Sequence, residues 1–148
     1  MRVLKFRIWD KENKQIHYCD AMGIMDNGIW FENSNFDTDN HNDDEAADVM
    51  QFTGLHDRNG KEIYEGDILE LVGGTCNFLP CGIYNDQRYG IGDKMIVQKL
   101  KSGFTLCGMN MYDCDIPNRV GKVDNYTFWN HQSSLKIIGN IYKNPELL

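Results

Sequence analysis

Residues 51–71 read QFTGLHDRNGKEIYEGDILEL, and the residue types in this stretch predict two chain reversals between short strands. Asn59-Gly60 favours a chain reversal, either as a two-residue type I′ turn or as a type I turn followed by a left-handed glycine. Asp57 is expected to cap that turn by accepting a backbone N–H two residues on. Glu65-Gly66-Asp67 indicates a second reversal, because Gly66 can take a positive φ. The apolar lining is predicted to consist of Phe52, Leu55, Ile63, Tyr64 and Ile68.

Alternating apolar and polar residues predict further strands outside this stretch. Residues 3–9 and 16–19, separated by the polar DKENK, form one predicted hairpin, and Asn27-Gly28 indicates a tight turn in a second one. Short strands separated by turns, with no long helical pattern, predict a mainly β protein built as a small antiparallel barrel or sandwich. The other predicted strands are 68–72, 94–100, 104–107, 126–129 and 135–142.

The acidic stretch 33–48, NSNFDTDNHNDDEAAD, marks the predicted division of the chain. It has too few apolar residues to offset the entropy of ordering, so we expect an exposed loop with a short helix over 44–50. The predicted units are an amino-terminal lobe over 1–50, containing hairpins and this loop, and a barrel over 51–148; one compact unit is the alternative. Residues 73–92 are irregular, which is typical of functional or poorly ordered segments.

Charge and composition limit the classes of function. The chain has 148 residues and a net charge of −7, which repels nucleic acid unless the positive charges gather on one face. Five cysteines, an odd number with irregular spacing, indicate reduced thiols. No apolar run is long enough to span a membrane, and Lys5 and Arg7 interrupt the apolar start that a signal peptide needs. We therefore expect a soluble protein of the cytoplasm.

The charged residues of 51–71 also allow a catalytic interpretation. Carboxylates and an imidazole can share a proton or a divalent ion, so a cluster is chemically possible. Adjacency in sequence does not supply the converging geometry that such a site needs, and Asn, Asp and Gly are the usual turn residues. The turn interpretation is favoured, and the alternative cluster would comprise His56, Asp57, Glu62, Glu65 and Asp67.

Other combinations of residues also favour structural roles. Four residues separate Cys76 from Cys81 and six separate Cys107 from Cys114, whereas paired zinc ligands usually lie two to four residues apart. The oxygens of residues 37–48 resemble a calcium loop, but glycine at its sixth position and glutamate at its twelfth are absent. Buried thiols and a solvated loop are therefore favoured, and no metal or cofactor is predicted. Four histidines could each pair with a cysteine, but no nucleophile motif accompanies them: His17, His41, His56 and His131.

Three segments together resemble the YopX family of bacteriophage and prophage proteins: KFRIWDKENK at 5–14, residues 51–71, and IIGNIYKNPELL at 137–148. The resemblance implies a compact, mostly β protein with an SH3-type barrel in its carboxy-terminal part, encoded by a phage. The family has no assigned activity, so no catalytic residue is carried over. His56 stands where many relatives have a basic residue, which argues against a required imidazole.

The leading hypothesis is a non-catalytic protein-interaction module that binds another protein or a copy of itself. The candidate binding surface is the segment 73–92, because aromatic and arginine side chains on a loop are typical of recognition. The residues expected to carry it are Tyr84, Arg88 and Tyr89. A small barrel associated with nucleic acid is the first alternative. A metal-dependent enzyme is the second.

Overall fold

The computed structural model describes residues 4–19, 21–25, 28–32, 47–73, 91–101, 103–108 and 132–148. Ten β-strands account for most of these residues, and the prediction of a mainly β protein is confirmed. The chain divides into two compact units, Met1–Phe52 and Thr53–Leu148. Nowhere in the described ranges does a helix reach the length and apolar character needed to cross a membrane.

The first unit contains two antiparallel hairpins, as the sequence predicts. β1 (Phe6–Asp10) pairs with β2 (Gln15–Tyr18), placing Ile8 opposite His17. The first half of β5 (Ala47–His56) pairs with the other side of β1, placing Met50 opposite Arg7. β3 (Ala21–Met25) and β4 (Gly28–Glu32) form the second hairpin. The buried apolar side chains of this unit are Ile8, Trp9, Met50 and Phe52.

Two local predictions in this unit are wrong. Residues 47–50 do not form the end of a helix, because they begin β5 and pair with β1 in register, with Asp48 opposite Trp9. Cross-strand pairing therefore overrides the local helix preference. Gly28 pairs with Met25 as the first residue of β4, so Asn27-Gly28 does not occupy the two central turn positions. Residues 26–27 and 44–46 lie outside the described residues.

The second unit contains an antiparallel sheet of four strands, with the order β10-β7-β8-β9. The β6 strand (Glu62–Tyr64) is hydrogen-bonded to β5. The sheet is formed by β7 (Asp67–Leu71), β8 (Lys94–Leu100), β9 (Gly103–Gly108) and β10 (Leu135–Asn140). The strands β7 to β10 confirm four of the predicted strands, although β10 ends at Asn140 and the prediction extended to residue 142. The strand predicted at 126–129 lies outside the described residues. The core consists of Leu55, Ile63, Leu69, Leu71, Met95, Val97, Phe104, Leu106 and Leu135.

The carboxy-terminal residues fold back onto β10. Pro145–Leu147 forms one 3₁₀ turn. A Cβ atom at Gly139 would lie 2.7 Å from Leu147 Cδ1 and 3.0 Å from Asn144 Oδ1. A side chain at position 139 would therefore require Leu147 and Asn144 to shift. The close contact with Leu147 and Asn144 therefore explains why the segment IIGNIYKNPELL has a glycine at position 139.

We expect Gly139→Ala to lower the free energy of unfolding by about 1–3 kcal/mol, because the added methyl group forces Asn144 and Leu147 to move. Urea unfolding of the two proteins measures the loss. Leu147→Ala should lower the cost of Gly139→Ala when the two changes are combined, whereas the exposed Ser133→Ala should not. An unchanged midpoint for Gly139→Ala would contradict the packing described above.

Candidate interaction surface

The turn between β5 and β6 is the first of the two predicted reversals. The Gly60 N–H donates to Asp57 O at 2.9 Å, and the Asp57 N–H donates to Lys61 O at 2.8 Å. Gly60 has a φ of 79°, whereas Asn59 is not among the described residues with positive φ. Of the two predicted alternatives, the turn is therefore the type I turn followed by a left-handed glycine.

The carboxylate of Asp57 connects this turn to a distant strand. Its Oδ1 accepts the N–H groups of Asn59 at 2.8 Å and Lys61 at 2.9 Å. Its Oδ2 accepts the N–H of Ile137 in β10 at 3.1 Å, across 80 residues of chain. The next residue, Arg58, donates its N–H to Leu135 O at 2.9 Å. The turn thus lies along the outer edge of β10, where the carboxylate occupies the place of a neighbouring strand's carbonyl.

Asp57 is only 6% exposed, and its environment favours the ionised form. Burial alone would raise the pKa of its carboxyl group. The hydrogen bonds from the N–H groups of Lys61, Ile137 and Asn59, together with the charge of Lys61, outweigh burial and hold the pKa below its ordinary value. A carboxylate held in this form by the backbone has a structural role in the turn.

Asp67 holds the second reversal in a similar manner. Its Oδ2 accepts the Tyr64 N–H at 2.8 Å, and its Oδ1 accepts the Asn140 Nδ2 at 3.3 Å. Gly66 has a φ of 77°, as predicted, and donates its N–H to Val97 O at 2.9 Å. The Asn140 side chain in turn accepts the Tyr142 N–H at 3.0 Å. The second reversal is therefore joined to β10 and to the turn that follows it.

The first hairpin contains the same arrangement. The Oδ1 of Asp10 accepts the N–H groups of Glu12 and Asn13, both at 2.9 Å, and its Oδ2 accepts the Asn13 Nδ2 at 2.8 Å. His17 Nε2 lies 3.7 Å from the same Oδ2. Burial would raise the pKa of Asp10, but these hydrogen bonds and the nearby His17 lower it. Lys14, with a φ of 53°, completes the turn.

Two acids of the alternative cluster within 51–71 are held in separate turns. Asp57 and Asp67 bond to separate sets of backbone groups, and Glu62 Oε2 accepts the Tyr64 hydroxyl at 2.8 Å. His56 is exposed, and its N–H donates to Gln132 Oε1 at 3.2 Å. Across the residues that the structure describes, no three His, Cys, Asp or Glu side chains are arranged to hold a metal ion.

The remaining site predictions fall largely beyond the described ranges. Cys76, Cys81 and Cys114 lie outside them, as do residues 37–46 of the acidic stretch. Cys107 belongs to β9, and Cys19, just after β2, is not in a disulfide. Asp48 lies in β5, and its Oδ1 is 3.4 Å from Lys11 Nζ. The described residues therefore do not test a zinc or calcium site at these positions.

The predicted binding surface also lies outside the described residues, but the base of its segment does not. Tyr84, Arg88 and Tyr89 are not described. The Leu71 N–H donates to Asp93 O at 2.9 Å, and the Gly92 N–H donates to Leu71 O at 2.8 Å. Leu71, which precedes the segment 73–92, is therefore bonded to Gly92 at the end of that segment and to Asp93 after it. Ile91, at the end of this segment, is 74% exposed.

These features define a small, mainly β protein in which buried aspartates hold the chain reversals. A family model described as YopX protein matches residues 5–148, and the chain belongs to the YopX family. The resemblance inferred from the three sequence segments is thus confirmed.

Two solved structures are similar over the whole chain. Protein EF1440 from Enterococcus faecalis has a TM-score of 0.57 and 25% identity, and the match covers 100% of this chain and 99% of that one. Protein yopX from Bacillus subtilis has a TM-score of 0.49 and 23% identity, with the same coverage. No curated protein matches the chain.

We expect Asp57→Asn to lower the free energy of unfolding by about 2–3 kcal/mol, because the amide group turns an N–H donor toward a backbone N–H. Urea unfolding measures this loss. Asp48→Asn is a matched control, since the side chain of Asp48 is one-third exposed and forms an ion pair with Lys11. Its loss should not exceed about 1 kcal/mol. Equal losses for the two variants would contradict the role given to Asp57.

We also expect stability to fall in acid. Asp10 and Asp57 have folded pKa values below the ordinary 3.8, so the unfolded chain takes up protons first as the pH falls. Their contribution is complete above about pH 5 and is lost as the pH drops through 3.8 toward the folded pKa values. Urea midpoints measured across this range test the expectation. Asp57→Asn should reduce the acid dependence; an unchanged slope would contradict it.

Proposed function

We propose that this YopX-family chain is a non-catalytic protein-interaction module, of phage or prophage origin, that acts in the bacterial cytoplasm. One observation carries the proposal: Asp57 and Asp67, two acids of the stretch that resembles a catalytic cluster, accept hydrogen bonds from backbone N–H groups and so hold the two turns. The stretch 51–71 thus has a structural role as part of the scaffold. The segments that join this scaffold are then the parts available for recognition.

The base of segment 73–92 supports its assignment as the recognition surface. Two backbone hydrogen bonds hold its ends together on the sheet, at Leu71, Gly92 and Asp93. A loop whose ends are fixed on a rigid sheet is a common site of binding. Ile91 exposes an apolar side chain at this base. We assign the partner contact to Tyr84, Arg88 and Tyr89, since aromatic and arginine side chains dominate the energy of protein interfaces.

The architecture that we propose for the scaffold is an SH3-type barrel following an amino-terminal lobe. The support is the closure between the β5–β6 turn and the outer edge of β10, which extends the four-stranded sheet by further hydrogen bonds. β2 is an edge strand in the first unit, and Tyr18 on it is 53% exposed. A second copy of the chain is therefore one partner that we propose, because edge strands pair readily.

Affinity capture from host cells tests the proposed function. The tagged chain should retain a specific protein. The triple variant Tyr84→Ala/Arg88→Ala/Tyr89→Ala should no longer retain it, and its far-ultraviolet circular dichroism spectrum should match that of the unchanged chain. The exposed Lys101→Ala serves as the control and should keep the partner. Sedimentation of the purified chain reports whether that partner is a second copy. Capture of no protein in any growth or induction state would contradict the proposal.

A further inference from the structure

The β5–β6 turn presents two exposed cations, Arg58 and Lys61. They flank the central residues Asn59 and Gly60, which are exposed as well. Neither cation forms a salt bridge with a residue that the structure describes. In a chain of net charge −7, these two cations place a local surplus of positive charge on one turn.

The backbone under these cations is fixed from three directions. The Asp57 carboxylate accepts the Lys61 N–H, the Arg58 N–H donates to Leu135 O, and the Gly60 N–H closes the turn. A partner that binds this turn would not need to order it. Preorganisation of this kind increases affinity because less conformational entropy is lost on binding.

The neighbouring acids Asp57 and Glu62 form no salt bridge with these two cations, although the charge of Asp57 acts on Lys61. Asp57 is buried beneath the turn, and Glu62 accepts the Tyr64 hydroxyl. Lys136, next to Leu135, is a third exposed cation, but it lies opposite Glu70 in the register of β10 and β7, which offsets its charge. The positive surface therefore centres on Arg58 and Lys61, with Lys136 at its margin.

Arg58 also extends toward the candidate interaction surface. Its guanidinium Nη1 lies 3.9 Å from the position that a Cβ atom at Gly73 would occupy. Gly73 begins the segment 73–92, and the preceding Val72 donates its N–H to Ser134 O at 2.9 Å. The cation is thus located at the base of the segment to which we assign partner contact.

We infer that Arg58 and Lys61 form a docking point for the carboxylates of an acidic segment on the partner protein. The inference rests on the proposed function and specifies the chemistry of its partner. A guanidinium can bind a carboxylate through two parallel hydrogen bonds, and the Lys61 ammonium adds a second point charge. The net charge of −7 repels a long polyanion, so two localised cations fit a short acidic protein segment better than nucleic acid.

Fluorescence anisotropy with a labelled polyglutamate peptide tests the inference. The double variant Arg58→Gln/Lys61→Gln should bind at least about fivefold more weakly than the unchanged chain. Lys99→Gln/Lys101→Gln removes the same charge from exposed positions around the β8–β9 turn and should change binding less than about twofold. Arg58→Lys should show an intermediate loss, because it keeps the charge but not the paired hydrogen bonds. Equal losses in the two double variants, or no binding of the peptide, would overturn the inference.

A second arm separates this inference from nucleic-acid binding and from the proposed function. Oligothymidylate of the same length should bind more weakly than polyglutamate; tighter binding that depends on Arg58 and Lys61 would overturn the inference. If the chain captures a protein and the variant Arg58→Gln/Lys61→Gln captures it equally well, the inferred docking point is wrong. The proposed function as a protein-interaction module is then retained. If the unchanged chain captures no protein while polyglutamate binding depends on both cations, the proposed function is wrong. The inferred site for an acidic segment is then retained.

Discussion

The desolvated carboxylate of Asp57 is the constraint on which the second unit depends. An ionised group that is 6% exposed must find donors within the protein, and here three backbone N–H groups supply them. Two of these belong to its own turn and one to β10. The same interaction therefore sets the shape of the hairpin and its position on the sheet. The core residues Leu55, Ile63 and Leu135 lie on the strands that it brings together.

The local part of this arrangement can be predicted from the sequence, and the distant part cannot. The Gly60 and Gly66 conformations and the Asp57 bond to Asn59 follow from residue types within a few positions of one another. The bond from Ile137 spans 80 residues, and no short-range pattern indicates it. The expected helix over 44–50 failed for the same reason, since pairing of β5 with β1 decides the conformation of residues 47–50. The alternation of apolar and polar residues predicted the strands correctly, because alternate side chains of a strand face the core and the solvent.

The three segments that relate this chain to its family share a physical theme. Each contains an aspartate or asparagine whose side chain replaces a backbone group at a reversal: Asp10 in the first, Asp57 and Asp67 in the second, and Asn140 in the third. Such positions tolerate little change because both the donor geometry and the burial must be kept. The candidate site could be predicted only as a loop rich in aromatic and arginine side chains. No periodic pattern in that stretch of sequence indicates how those side chains are placed.

The bond between Asp57 and Ile137 has one more consequence, which concerns association with other chains. The outer edge of β10 is the kind of edge that recruits foreign strands and begins aggregation. A carboxylate and a turn occupy this edge at Leu135 and Ile137, and the turn cannot be extended into a further regular strand. Asp57 and its turn therefore leave fewer backbone groups on this edge of β10 for pairing with a strand of another chain.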